Sequence, residues 1–539
     1  MSADLVFLGG AVRTGVAGDR ATHALAVEEG RITAVGDAAR SCVGPSTRVV
    51  DLAGGALVPG FGDGHVHPLL GGLGLLGVPV RDCTSVEQII DAVRAWADAH
   101  PEAEWICGSA FSPWLADDGL FDARWLDEAC SERPVVLRTM DHHTAWVNSE
   151  ALRRAALTAD TPDPPDGEIV RRADGGPLGT LREWGAFQPV LDLIPAHGLH
   201  EQVAALRRVS EQFARHGITW VQDAFVSHHE VPAWLAAASS GALSFRADLA
   251  FLAGPSTWSE ELPMMVADRS AVEDQGRGWL SASTVKFFAD GVIESGTAAM
   301  IEDYHDCPHS RGMLNWSATG LAEAMAAVDD AGFDCHIHAI GDAGIRASLD
   351  AIEEVRRRNG HRDRRTTIAH LQVIDPADLP RFAELGVVAN FQPLWAQPDP
   401  LMTELTQPRL GAERSSRQYQ INSMLASGAA VSFGSDWPVT SFRPLEALRT
   451  AVARQTRDGL PAGGWLPEER VDVDDALRAY TAGVAYQARE EGEWGALRPG
   501  MRADLVHLSA DPLAPDTDLS DLQVLGTWLA GTPTFQHSA

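Results

Sequence analysis

The chain has 539 residues, which exceeds one ordinary domain of about 150 residues, although a single α/β barrel with insertions can exceed about 400. Hydrophobic residues make up 45% and charged residues 22%, as in globular proteins. The sequence has no apolar stretch of about 20 residues, so we expect no membrane span. Its N-terminal region is not basic, so we expect no secretory signal. The formal net charge of −31 repels phosphate groups and anionic lipids, so we expect neither nucleic acid nor a membrane as a partner.

Both ends of the chain are predicted to form short β-strands. Near the N-terminus, Glu29-Gly30 separates two apolar runs, as in a hairpin turn. The predicted terminal strands are residues 4–8, 23–27, 31–35, 48–52 and 503–508. We therefore expect a small β-sandwich domain composed of residues 1–57 and 489–539.

The middle of the chain alternates strand-like and helix-like patterns. The apolar runs predicted as strands are residues 56–61, 218–221, 245–252, 283–288, 333–339, 366–370, 387–391 and 430–433. Amphipathic patterns predict helices between many of them, for example over 201–216, 318–331, 343–358 and 415–426. Eight strands separated by helices predict an α/β fold, a (β/α)8 TIM barrel over residues 58–488.

Residues 84–195 are too many for one crossover between two barrel strands. They contain a helical pattern over 86–100 and a loop rich in Pro and Asp over 161–166. We interpret this segment as an insertion that covers the active-site end of the barrel, because loops at that end carry most variation among barrel enzymes.

The six cysteines are widely spaced and form no CxxC pair. That spacing argues against a disulfide framework and against a thiolate zinc site. We expect a reducing, cytoplasmic location.

Lysine is almost absent from this sequence. Of the 43 lysines and arginines, Lys286 alone is a lysine. An amine can lose its proton and act as a nucleophile, whereas a guanidinium effectively cannot. The retained lysine therefore indicates chemistry at Lys286, with a structural lysine as the alternative.

Several polar residues follow or end the predicted barrel strands. His65 and His67 are two residues apart, so both imidazoles point to the same side of a strand. Four more candidates end later strands, where barrel enzymes place their chemistry: Lys286, His338, His370 and Asp436. Imidazole and carboxylate ligands suit Zn²⁺, with Fe or Mn as alternatives.

These motifs resemble those of the amidohydrolase superfamily, and within it amidohydrolase family 3, the branch of N-substituted formamide deformylase-like proteins. The resemblance is carried by residues 60–67 (GFGDGHVH), 286–291, 338–342 and 434–438. Terminal segments 30–36 and 499–505 are also similar. The matching segments span nearly the whole chain.

The resemblance implies a role for each candidate ligand. His65 and His67 are implied to bind the more buried metal, and His338 and His370 a second one. Lys286, carboxylated by CO₂, is implied to bridge the two ions; an unmodified lysine would indicate one ion. Asp436 is implied to contact a metal or its hydroxide and to shuttle the catalytic proton.

The insertion contains a second motif, DHHTAWVNS at residues 141–149. It resembles the family signature H-x-x-W-x-N-S, which implies a catalytic role for His143 and contacts with substrate for Trp146 and Asn148. The alternatives are an N-capping turn before a helix and the neighbouring His142. Two further residues match family motifs and are expected to bind substrate, with ordinary surface or strand-end positions as the alternative: Glu183 and Gln392.

His336 lies two residues before His338 and can face the same side of its strand. We favour His338 as the ligand because it lies nearer the strand end and matches the family's HAIGD motif. His336 is interpreted as a hydrogen-bonded residue of the barrel core.

The resemblance implies a metal-dependent hydrolase that cleaves a C–N bond, of amide or N-formyl type, through a metal-activated hydroxide. Tryptophans in the expected mouth loops indicate a small-molecule substrate with an aromatic or apolar portion. The alternatives are hydrolysis of a cyclic amide or ester, deamination, metal-assisted isomerisation, or metal binding without catalysis. A homodimer is a possible assembly.

Overall fold

The computed structural model describes residues 2–164 and 166–537. Its first strands and helix are β1 (Leu5–Val12), β2 (Thr22–Glu28), β3 (Arg31–Val35), α1 (Asp37–Arg40), β4 (Arg48–Asp51) and β5 (Ala56–Pro59). The antiparallel pair β2–β3 is joined by Glu29 and Gly30, whose φ angles are 50° and 75°. The predicted hairpin is confirmed, and its turn requires two left-handed residues.

After the first barrel strand, β6 (Phe61–Val66), and α2 (Pro68–Gly74), the chain forms a separate unit. Its elements are α3 (Val86–Ala99), β7 (Ile106–Phe111), α4 (Ala123–Asp127), β8 (Val135–Thr139), β9 (Thr144–Val147), α5 (Ser149–Arg154), β10 (Glu168–Arg171), β11 (Pro177–Arg182) and α6 (Trp184–Leu191). The five strands form one sheet in the order β10-β11-β9-β8-β7. Phe111, Phe121 and Trp146 pack in its apolar core.

Seven further strands complete a parallel sheet with β6. They and their helices are α7 (Leu199–Arg215), β12 (Ile218–Val226), α8 (Val231–Ser239), β13 (Arg246–Leu252), α9 (Trp258–Gln275), β14 (Leu280–Phe288), α10 (Ala318–Asp330), β15 (Asp334–Ala339), α11 (Asp342–Asn359), β16 (Thr367–His370), α12 (Arg381–Leu385), β17 (Val388–Phe391), α13 (Gln407–Ser415), α14 (Ile421–Ala426), β18 (Ala430–Phe433), α15 (Pro444–Ala453), α16 (Val473–Tyr480) and α17 (Ala482–Gln487). The order β18-β17-β16-β15-β14-β13-β12-β6 confirms the predicted barrel.

The barrel closes between its last and first strands. Just beyond β18, the Asp436 amide donates to the His65 carbonyl at 2.7 Å. A Cβ atom at Gly434 would lie 2.6 Å from the His65 nitrogen, so this approach requires glycine. Closure therefore brings the two ends of the predicted ligand set together.

Strands from both ends of the chain share one eight-stranded sheet. The last strands are β19 (Leu505–Leu508), β20 (Val524–Leu529) and β21 (Thr532–Gln536). The order is β21-β20-β19-β5-β1-β2-β3, with β4 beside β1. The division of the chain at residues 57/58 and 488/489 stays a prediction.

Two predicted elements are wrong. Residues 56–61 do not form the first barrel strand, because the chain changes sheets after Gly60. The Gly60 amide donates to the Asp504 carbonyl, just before a strand of the terminal sheet, whereas the Phe61 amide donates to the Gly217 carbonyl, just before a barrel strand. The predicted helix over 415–426 is broken between α13 and α14, where Tyr419 has a φ of 48° and its amide donates to the Gln372 carbonyl. Within the described residues, no helix is both long and apolar enough to cross a membrane.

Candidate metal centre

The predicted ligands meet at the carboxyl-terminal end of the barrel. His65 lies on β6, with His67 just after it; Lys286 and His338 lie on β14 and β15. His370 ends β16, and Asp436 follows β18. All six side chains are buried and line one pocket.

Asp436 is the carboxylate around which the imidazoles gather. Its Oδ1 lies 3.0 Å from His67 Nε2 and 3.4 Å from His65 Nε2, and its Oδ2 lies 4.0 Å from His370 Nδ1. One potential ligand atom from each of His65, His67 and Asp436 lies within 4.8 Å of the others. The His338 and His370 rings are 4.4 Å apart between centres. This donor set fits a Zn²⁺-type ion.

Hydrogen bonds fix which ring nitrogen faces the pocket. His338 Nε2 donates to the Gly291 carbonyl at 3.1 Å, which leaves Nδ1 without a proton in the neutral ring. His370 Nδ1 contacts Gln392 Oε1 at 2.9 Å, and Trp395 stacks on the same ring at 5.2 Å between centres. Such outer contacts orient metal-binding histidines.

The electrostatics favour three neutral imidazoles and a protonated His67 beside one ionised carboxylate. Burial alone would lower the pKa of His67, but its hydrogen bonds to Asp223 and Asp436 raise it to about 9. Burial, followed by nearby positive charges, lowers the pKa of His65, His338 and His370 well below the usual value. Burial alone would raise the pKa of Asp436, but its hydrogen bond to His67 and the nearby positive charges lower it to about 2. Neutral imidazole and ionised carboxylate are the metal-binding forms of these side chains.

Lys286 is fully buried in this cluster. Its Nζ lies 3.4 Å from His65 Nε2 and 4.8 Å from the Phe288 ring centre. Burial lowers the pKa of Lys286 to about 7, although the Asp436 charge acts in the opposite direction. A substantial fraction of this amine is therefore uncharged at neutral pH, the form that reacts with CO₂.

His143 reaches the pocket from the insertion. Its Nδ1 lies 2.7 Å from Glu183 Oε2, and its ring centre lies 5.3 Å from that of His338. Burial alone would lower the pKa of His143, but the charge and hydrogen bond of Glu183 raise it to about 9. Glu183 also accepts a hydrogen bond from Thr297, and it is not part of the pocket lining.

Three other predicted substrate contacts lie away from the pocket lining. Trp146 is buried in the inserted sheet, and its Nε1 donates to the Asp122 carbonyl at 3.0 Å. Asn148 caps α5, where its Oδ1 accepts from the Ala151 amide at 2.9 Å. Asn148 therefore caps a helix, as in the capping alternative, and the pocket lining includes neither Trp146 nor Asn148. Gln392 Oε1 contacts His370 Nδ1, and Gln392 is not part of the pocket lining.

The pocket also contains residues that sequence reasoning missed. Arg138 and Trp184 come from the insertion, and Phe225 and Phe288 from barrel strands. Trp184 stacks on Phe225 at 5.4 Å between centres, and the Arg138 guanidinium lies 4.9 Å from the Trp184 ring centre. Arg138 and Trp184 each lie close to a motif in sequence, but single aromatic or arginine residues carry no signal of pocket lining.

The chain is similar to several known proteins. A model of the amidohydrolase family matches residues 48–535. The chain is 33% identical to Protein LONG AFTER FAR-RED 3 of Arabidopsis thaliana, over 99% of this chain and 92% of that protein. It is 28% identical to an N-substituted formamide deformylase of Arthrobacter pascens, over 99% of each. An uncharacterized metal-dependent hydrolase from Pyrococcus horikoshii matches with a TM-score of 0.75, at 22% identity over 96% of this chain and 99% of that one.

The chain belongs to the amidohydrolase family, which confirms the resemblance noted in the sequence.

Proposed function

We propose that this amidohydrolase hydrolyses a C–N bond of amide or N-formyl type in a small molecule. The observation that carries the proposal is the buried group of His65, His67, Lys286, His338, His370 and Asp436 at one end of the barrel. The relative from Arthrobacter pascens is named as a deformylase of N-substituted formamides, which favours the N-formyl class.

The four histidines and Asp436 would hold one or two Zn²⁺ ions, with Fe or Mn as alternatives, and a CO₂-derived carbamate on Lys286 would supply a further ligand. Such an ion lowers the pKa of a bound water toward about 7 and polarises a carbonyl group. A protonated lysine is a poor ligand because it is a cation, whereas the carbamate is an anion with two oxygens.

Asp436 and His143 would handle the protons and charge of the reaction. Ionised Asp436 accepts a proton from the attacking water and then donates it to the leaving nitrogen. Protonated His143, held by Glu183, donates a hydrogen bond to the substrate oxygen as negative charge develops there. Both side chains line the pocket.

The substrate would carry an aromatic or apolar portion. Trp184, Phe225 and Phe288 form an apolar wall beside the candidate ligands, together with Leu70 and Val439. Ring faces of this kind favour stacking with another ring.

A cytoplasmic location and a homodimer stay predictions.

Product analysis tests the proposed reaction. With N-substituted formamides that carry an aromatic group, the metal-loaded protein should release formate and amine in equal amounts. Asp436→Asn should lower kcat/KM by about a thousandfold, because it removes the general base. The exposed Asp330→Asn is the matched control and should keep wild-type turnover.

Ammonia or an isomer as the product would favour deamination or isomerisation on the same scaffold. A fully metal-loaded protein that turns over no amide, ester or cyclic amide would contradict the proposed hydrolase. It would support the alternative of a metal-binding protein without catalysis.

Substitution of Lys286 tests the carbamate. Lys286→Ala should lower both the bound metal and kcat/KM, and Lys286→Arg should not restore either, because a guanidinium does not lose its proton to react with CO₂. Metal analysis and ¹³C NMR after incubation with ¹³C-labelled bicarbonate provide the two measurements. Wild-type activity in Lys286→Arg would exclude the carbamate.

The His143–Glu183 pair predicts a specific pH dependence. His143 is protonated below a pKa of about 9, so its contribution is lost as pH rises through that value. Glu183→Gln removes the charge that raises the His143 pKa, so the alkaline limb of kcat/KM should move to lower pH. The exposed Glu132→Gln, also in the insertion, should leave the profile unchanged. An unmoved limb in Glu183→Gln would refute the assigned role of the pair.

A further inference from the structure

The rings of His65 and His370 lie on different strands, but hydrogen bonds connect both of them to one network inside the barrel. The network runs through side chains that the proposed chemistry does not use: His336, Gln222, Gln487, Asn390 and Gln392. All five are buried.

The His65 branch has a defined direction. His65 Nδ1 lies 2.7 Å from His336 Nε2, and His336 Nδ1 lies 2.9 Å from Gln222 Oε1. Gln222 Nε2 donates to Asp248 Oδ2 at 2.9 Å and to Thr284 Oγ1 at 3.0 Å, so Gln222 Oε1 can only accept. His336 therefore carries its proton on Nδ1 and accepts at Nε2 from the Nδ1–H of His65. The Nε2 lone pair of His65 is left facing the pocket.

The His370 branch has the same direction. Gln392 Oε1 faces His370 Nδ1, because Gln392 Nε2 donates to Asn390 Oδ1 at 2.8 Å. Asn390 Nδ2 in turn donates to Ser432 Oγ at 2.9 Å and to Gln487 Oε1 at 3.3 Å. His370 therefore carries its proton on Nδ1, and its Nε2 is left for a ligand.

Gln487, the last residue of α17, joins the two branches. Its Nε2 donates to Gln222 Oε1 and, at 2.8 Å, to the Gly64 carbonyl beside His65. Its Oε1 accepts from Asn390 and, at 2.6 Å, from Ser432. The Gly64 carbonyl can only accept, which fixes the orientation of this amide.

We propose that Gln487 is a positioning residue for the metal centre. Through Gln222 and His336 on one side, and Asn390 and Gln392 on the other, it holds in place the acceptors that face Nδ1–H of His65 and His370, which leaves both Nε2 atoms for the metal. Loss of one buried amide leaves its partners unsatisfied, and loss of an outer-shell partner weakens metal binding. This inference rests on the proposed metal centre.

Three variants test the network in the full-length protein. Gln487→Met removes the shared amide, and Gln392→Met removes only the His370 branch. Gln418→Met is the matched control, because Gln418 is equally buried but is paired with Gln372 outside the network. The measurements are ¹⁵N spectra of the histidine rings in metal-free protein, and the Kd for Zn²⁺ in competition with a chelator.

In the wild type, the spectra should show the Nδ1–H tautomer for His65 and His370. Gln487→Met should lose the single tautomer at both rings and raise the Kd about 10- to 100-fold. Gln392→Met should alter only the His370 ring, and Gln418→Met should alter neither the rings nor the Kd. If Gln487→Met does not fold, Gln487→Asn, whose shorter amide cannot span both branches, should disturb both rings in the same way.

Wild-type rings and wild-type Kd in the folded Gln487 variant would overturn the inference, as would equal effects in Gln418→Met. The readouts need no substrate, so an absence of formamide turnover would contradict the proposed function alone. A wild-type protein that binds no Zn²⁺ would refute the metal centre, while the ring spectra would still decide whether Gln487 holds the acceptors at the two rings in place.

Discussion

The arrangement of the barrel end depends on burying four imidazoles, an amine and a carboxylate beside one another. Buried charges are costly unless they are paired, and burial here keeps three of the imidazoles neutral while Asp436 stays ionised. Neutral nitrogens with free lone pairs around one carboxylate bind a cation better than they bind one another. The cluster therefore has the composition of a metal site before any relative is considered.

The surrounding structure holds this cluster from three sides. The barrel closes through a hydrogen bond from the Asp436 amide to the His65 carbonyl. One backbone contact therefore holds together the two residues that carry the carboxylate and the first imidazole. The insertion contributes His143 and Glu183 above the pocket. Helix α17 contributes Gln487 from below, and each of these elements comes from a different part of the chain.

Much of the fold and the ligand set could be predicted, because their signals are local. Apolar runs of strand length alternate with amphipathic helices, and His65 and His67 share a face through the two-residue period of a strand. Lys286 stood out by composition alone. The change of sheet at Gly60 could not be predicted, since the apolar run continues through this residue to Phe61. Trp146 matched a motif but serves the core of the inserted sheet, and only tertiary packing distinguishes these uses.

The central claim is that the cluster binds a metal ion, and anomalous X-ray diffraction near the zinc edge tests it most directly. Crystals of the protein supplied with Zn²⁺ and bicarbonate should show their strongest anomalous peak in contact with His65, His67 and Asp436. A strongest peak on the acidic surface, with none inside the cluster, would contradict the account.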